Sequence, residues 1–136
     1  MSVNPQLLDI KECDWGSPRK NMRGGVCFQG GTNVTMTIGE GRYPHETKVH
    51  AHDYEQTVFI YQGECEFYVD GIPYHMDEGC LMVVPPDVEH GIAPLGNIPY
   101  MDMDIFYPKR TADRKASVPV ISRGHLNWEN EAKQHE

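Results

Sequence analysis

His50-Ala51-His52-Asp53-Tyr54-Glu55-Gln56 places two imidazoles one residue apart, and His90 supplies a third further along the chain. Side chains on an extended strand repeat every second residue, so an HxH pair projects both rings from one face. Imidazole nitrogen ligates Fe, Mn, Ni, Cu and Zn. An HxH pair joined by an amide oxygen and a third imidazole can hold one metal ion and leave positions open for water or substrate. Catalysis is therefore a live hypothesis, and the rest of the chain must bring these separated donors together.

The elements that could do so read as strands. Val34-Thr35-Met36-Thr37-Ile38 alternates apolar residues with threonine, the pattern of a half-buried strand. Thr47 to His52 reads as a second strand carrying the histidine pair, and Thr57 to Tyr61 as a third, closed by Gln62-Gly63. Cys65 to Val69 meets Asp70-Gly71, a tight-hairpin signal because both turn positions need positive φ. Ile72 to Met76 returns, with Pro73 marking an edge strand or a strand start. Cys80 to Val84 is stopped by Pro85-Pro86, Glu89 to Ile92 carries His90, and Tyr100 to Phe106 is a last alternating run. No helical period precedes Pro108, and many short strands at close spacing predict an all-β sandwich or barrel.

The expected organisation is an N-terminal arm or edge strand over 1–30, a barrel over 31–110 and a polar extension over 111–136. Within the extension, Asn127 is placed to cap a short helix through Glu129 and Ala132.

Bulk properties narrow the function classes. A chain of 136 residues suits one domain with its own core. The formal net charge of −8 argues against nucleic acid and anionic membrane as partners. No apolar run approaches the ~20 residues of a membrane helix. Met1 to Pro5 lacks the basic and apolar regions of a signal peptide, so cytoplasmic residence is the expectation. Cys13, Cys27, Cys65 and Cys80 show no CxxC or CxxH spacing and are expected to be reduced, mostly packed thiols. His45, His75, His125 and His135 are expected at the surface or satisfied in the core. Tyr43, Tyr54, Tyr61 and Tyr68 are further candidate pocket residues, with ordinary barrel packing the favoured reading for each.

The histidine segments resemble the two motifs of the cupin superfamily. The first stands as His50-Ala51-His52, then Gln56, then Gly63; the second as Gly79, Pro85, Asp87 and His90. The Asp70-Gly71 hairpin lies between them, and the likeness covers roughly residues 30 to 110. It implies a jelly-roll β-barrel in which His50, His52, Gln56 and His90 hold one divalent transition metal, Fe, Mn, Ni or Zn. Most cupins have glutamate where Gln56 stands. A neutral ligand leaves more positive charge on the metal, which suits polarising a carbonyl or enolate oxygen. Glu55 could take the ligand's place if the register slipped by one, but the spacing to Gly63 favours Gln56.

The last strand divides two readings. Alternation alone favours a solvated, outward face for Asp102 and Asp104, with Met101, Met103 and Ile105 inside. A second resemblance reverses it. Asp104-x-Phe106-x-Pro108-x-Arg110 after the last histidine is similar to the small single-domain cupins of the pectin-degradation (KdgF-like) type. Members of that group open or linearise unsaturated uronic acids. The likeness implies that Asp104 moves protons, that Arg110 holds the sugar acid, and that Phe106 shapes the pocket. Arg42 and Lys48 are alternative partners for a substrate carboxylate.

The leading expectation is a metal-dependent lyase or isomerase acting on a small oxygenated acid, with an unsaturated uronate as one candidate. A non-haem Fe dioxygenase and a non-catalytic small-molecule-binding cupin are the alternatives. Cupins commonly pair through strand exchange, so a homodimer is expected, with the segment before Val34 as the exchanged strand.

Overall fold

Alternating burial along each strand sorts the chain into two sheets. The computed structural model describes residues 6–28 and 33–110. After a 3-10 turn at Ile10–Glu12 come β1 (Met22–Phe28), β2 (Thr35–Gly41), β3 (Glu55–Gln62) and β4 (Glu64–Val69). They are followed by β5 (Ile72–Met76), β6 (Leu81–Val84), β7 (His90–Leu95) and β8 (Tyr100–Tyr107). One sheet has the order β1-β2-β8-β3-β6 and the other β5-β4-β7, with antiparallel pairing throughout. This is the expected all-β jelly roll.

Asp70 and Gly71 both take positive φ, 51° and 78°, and turn β4 into β5 as their sequence predicts. Pro73 lies on β5, the edge of the smaller sheet, where a missing N–H leaves no inner ladder bond unmade. Val58, Ile60, Cys65, Phe67, Met76, Val84 and Tyr100 form the core between the sheets. The four cysteines are unbridged; Cys27 and Cys65 are buried, and burial pushes their thiols up to about 11 and about 12. No helix among the described residues is long and apolar enough to cross a membrane.

The segment Thr47 to His52 departs from expectation, because it is not a strand. Only His50 pairs, exchanging backbone hydrogen bonds of 3.0 and 2.9 Å with His90. The chain must leave the edge of the smaller sheet here and enter β3 in the larger one, so the ladder ends after one rung. The helix expected near Asn127 lies outside the described residues.

Strand β8 also differs from the alternation reading. Tyr100, Asp102 and Phe106 are buried, while Ile105 and Tyr107 are exposed. The even-numbered residues therefore face the barrel interior. Opposite them on β2 stand small residues, with Thr37 across from Asp104, Gly39 from Asp102 and Gly41 from Tyr100. A Cβ on Gly39 would lie 2.6 Å from Asp102 Oδ1, and one on Gly41 would overlap the Tyr100 ring. The glycines make room for buried polar side chains on the central strand.

Candidate metal centre

Three elements deliver the donors. His50 and His52 come from the crossing segment, Gln56 from the start of β3, and His90 from the first position of β7. The ligand atoms of His50, His52 and His90 all lie within 4.8 Å of one another. Gln56 and His90 are buried, His52 is half-buried and His50 is exposed, so the centre opens to one side. Glu55 is exposed on the other face of β3, away from the histidines.

Backbone carbonyls set the state of each ring. Nδ1 of His50 donates to the Lys48 carbonyl at 3.0 Å, that of His52 to Tyr54 at 2.9 Å, and that of His90 to Val88 at 2.9 Å. A carbonyl only accepts, so Nδ1 carries a proton in all three rings, and in a neutral ring so anchored Nε2 keeps the lone pair. Such anchoring is the usual way a protein orients a metal-binding imidazole. Burial, with the neighbouring His50 and His52, also pushes the His90 pKa below its ordinary value, which favours the neutral, ligating form.

Gln56 completes the donor set. Its Nε2 donates to Asp104 Oδ1 at 3.2 Å, which turns Oε1 toward His52 Nε2 at 2.8 Å and His90 Nε2 at 2.9 Å. With the rings neutral, three acceptor atoms converge with no proton between them. That arrangement is repulsive by itself and favourable around a cation. The donor set fits a divalent transition metal.

Around the centre lies a cavity of about 420 Å³. Asp104, Phe106 and Arg110 all line it, as do Lys48, Tyr54 and Thr37; Arg42 is exposed and does not. Phe106 stands edge-on to His52 and to Tyr54, with centroids 5.8 and 5.5 Å apart. The Arg110 guanidinium lies 4.9 Å from the Phe106 ring centroid and 5.9 Å from that of Tyr54. Its backbone N–H is tied to Thr35 Oγ1 at 2.9 Å.

Tyr54 takes the pocket role that its sequence left as the less favoured reading, and Thr37 joins the site without having been singled out. Tyr54 stacks on His52 with centroids 4.0 Å apart and planes 8° apart, and so walls the centre rather than the core. Its spacing two residues after His52 was the available signal. Thr37 donates to Asp104 Oδ2 at 3.4 Å, from the same face of β2 as Thr35. His45 and His75 are satisfied elsewhere, by Tyr100 Oη at 3.1 Å and by Glu64 at 2.7 Å. Tyr43 is 76% exposed and packs in no core.

Asp102 and Asp104 form a buried carboxyl pair. Burial is the main cause that raises both above the ordinary carboxylate range, and Asp102 is raised the more, since the Asp104 charge adds to it. Asp104 is partly offset by hydrogen bonds from Asp102, Gln56 and Thr37 and by the Arg110 charge. Asp102 is therefore the member that holds a proton and donates it toward Asp104.

This has a stability consequence. The folded Asp102 binds its proton more tightly than the unfolded one, whose ordinary pKa is 3.8. Stability from this group is full below that value and falls as pH rises toward the folded pKa. Asp102→Asn keeps the donor and removes the ionisation. Its Tm is expected to exceed wild type by several degrees at neutral pH and to converge with it below about pH 4. Identical Tm–pH curves would show that burial does not bias this group.

The chain belongs to the cupin family: the family's cupin domain matches residues 34–105. No curated protein sequence matches it. Among similar solved structures is KdgF from Halomonas sp., with a TM-score of 0.72 at 18% identity over 79% of this chain and 97% of that one. An RmlC-like cupin from Shewanella frigidimarina gives 0.64 at 22% identity, over 74% and 88%. A predicted oxalate decarboxylase from Thermotoga maritima gives 0.66 at 13%, over 75% and 98%. At these identities the likeness carries the fold.

Proposed function

We propose that this cupin is a metal-dependent lyase or isomerase acting on a small oxygenated acid, with unsaturated uronates as the leading substrate class. The observation that carries this reading is the hydrogen bond from Gln56 to Asp104, which sets a proton-carrying group directly beside the donor cluster. A metal held by His50, His52, Gln56 and His90 would supply Lewis acidity toward negative charge developing on a substrate oxygen.

The chain's own residues do the rest. Asp104, with its pKa raised by burial, takes or gives a proton at its carboxyl oxygen. Arg110 offers a planar fork to the substrate carboxylate from a platform of Phe106 and Tyr54. Lys48 brings a second positive charge to the cavity lining. The two aromatic rings wall the cavity beside His52. Similarity of fold to KdgF, together with Asp104, Phe106 and Arg110 on the cavity lining, supports the uronate class.

The test is an assay of metal-loaded protein on unsaturated uronate monomers, with and without dioxygen, following the ultraviolet absorbance of the ring double bond. Turnover that is unchanged under anaerobic conditions is expected. Strict dependence on dioxygen would replace this reading with the dioxygenase.

A further inference from the structure

The chain is acidic overall, with 12 lysines and arginines against 20 aspartates and glutamates, yet the cavity around the donor cluster gathers Arg19, Arg23, Lys48 and Arg110. Arg23 is neutralised by Glu40, its fork 3.1 and 2.8 Å from the two carboxylate oxygens. Arg110 serves the reading above as the clamp for a substrate carboxylate. Arg19 and Lys48 are left. Among the described residues, neither of them forms an ion pair with a carboxylate.

Arg19 is fixed by the loop that carries it. Its Nη1 donates to the Glu46 carbonyl at 3.0 Å, and its own carbonyl accepts from the Met22 N–H at 3.1 Å. Asn21 takes φ 62°, a left-handed conformation that asparagine adopts more readily than most residues. Its Nδ2 donates to the Pro44 carbonyl at 2.6 Å and its carbonyl accepts from the Arg42 N–H at 3.0 Å, which ties the loop to the end of β2. A half-buried guanidinium held in this way loses little freedom on meeting an anion. The Arg19 charge acts on Tyr100 and His45 and the Arg110 charge on Asp104, in each case beneath a larger effect of burial. Tyr100 and Asp104 both line the cavity from β8, ~13 Å apart at the rise of a strand. The cavity thus has one cation beside Asp104 and another beside Tyr100.

We propose that Arg19 and Lys48 form a second anion subsite, so that the substrate is a sugar acid with an anionic group at each end of its carbon chain. This rests on the reading of Arg110 as the clamp for the first carboxylate. An extended six-carbon chain spans ~6 Å between its ends at bond lengths of ~1.5 Å. Charge-assisted hydrogen bonds of about 2.8 Å at both ends extend that reach to guanidinium groups ~12–14 Å apart. Lys48 is exposed at the rim, and its flexible stem lets the ammonium follow the same anion. A substrate with a single carboxylate would leave both of these cations without a counter-charge.

Calorimetric titration of the full chain with gluconate, glucarate and 6-phosphogluconate, in the presence of Mn(II), tests it without turnover. The three acids share a six-carbon chain and differ at the far end, which is a hydroxyl, a carboxylate or a phosphate. At least one dianion is expected to bind about tenfold or more tighter than gluconate, and the tighter one identifies the second group. Arg19→Met should cut that preference to about twofold or less, with gluconate affinity and the circular dichroism spectrum unchanged. Lys48→Met should weaken the preference as well, and decides the matter if Arg19→Met misfolds. Lys20→Met, exposed beside Arg19 but off this cavity, should leave it intact. Equal affinity for all three acids, or no binding of either dianion, overturns the proposal. So does a preference that survives Arg19→Met, as when the second group chelates the metal, or one that Lys20→Met also abolishes. Arg110→Met keeps the two readings apart. It should weaken all three acids alike; gluconate affinity unchanged there would count against Arg110, while the response to Arg19→Met still decides the second subsite.

Discussion

Asp104→Asn is expected to lower kcat by about 10²- to 10⁴-fold, the range a positioned proton-transfer group contributes, while metal content stays at wild-type level. The asparagine keeps the shape: its Oδ1 can still accept from Gln56 Nε2, while its Nδ2, in the place of the other carboxylate oxygen, can donate to Thr37 Oγ1. It cannot take up a proton. KM should change little, because Asp104 acts on the reacting atoms and Arg110 on the carboxylate. A variant with full turnover would remove Asp104 from the mechanism. One that also lost its metal would show that its part is to orient Gln56.

The second large effect falls on His50. It is the exposed member of the triad, touching the other two rings at centroid distances of 5.8 and 4.5 Å. Removing it opens no buried cavity, so metal-free His50→Ala should melt within a few degrees of metal-free wild type. Their response to metal should separate them. Wild type gains about 2.7 kcal/mol at a hundredfold excess of metal over Kd; the variant should gain little, and its affinity should fall by more than the 10- to 100-fold typical of losing a supporting partner. Equal Tm shifts in the two proteins would mean that His50 is not a ligand. His90→Ala confounds this readout, since His90 is only 2% exposed and its loss leaves a void.

The local devices were legible in the sequence because each has its own short-range signature. Asp70-Gly71 demands its turn, Pro73 avoids an inner strand, and the spacing from His50 through Gly63 and from Gly79 to His90 carries the fold family. What alternation could not show is which side of a strand is covered. Strand β8 lies between β2 and β3, and its outer face is partly roofed by the N-terminal segment through Met103. Both faces therefore carry large residues, and the apolar set points outward while Asp102 and Asp104 point in.

The strand expected at Thr47 to His52 failed for a related reason. Period-2 patterning describes a residue's sides but not the corner where a chain changes sheets. Thr37 was hidden by its ordinary residue type, and Tyr54 was ranked for barrel packing ahead of the pocket for the same reason. Their roles come from a stack on His52 and a hydrogen bond to Asp104, contacts between residues that only the folded chain brings into register.

Three Nδ1-protonated imidazoles and the Gln56 carbonyl oxygen are expected to hold one metal ion together. The most direct measurement is a calorimetric titration of untagged, metal-stripped protein with Fe(II), Mn(II), Ni(II) and Zn(II), read beside the nitrogen NMR shifts of the histidine rings. One equivalent should bind per chain, with the Nε2 resonances of His50, His52 and His90 shifting together and their Nδ1 protons retained. Saturation that leaves those three resonances unmoved, or no binding of any of the four metals, would contradict it.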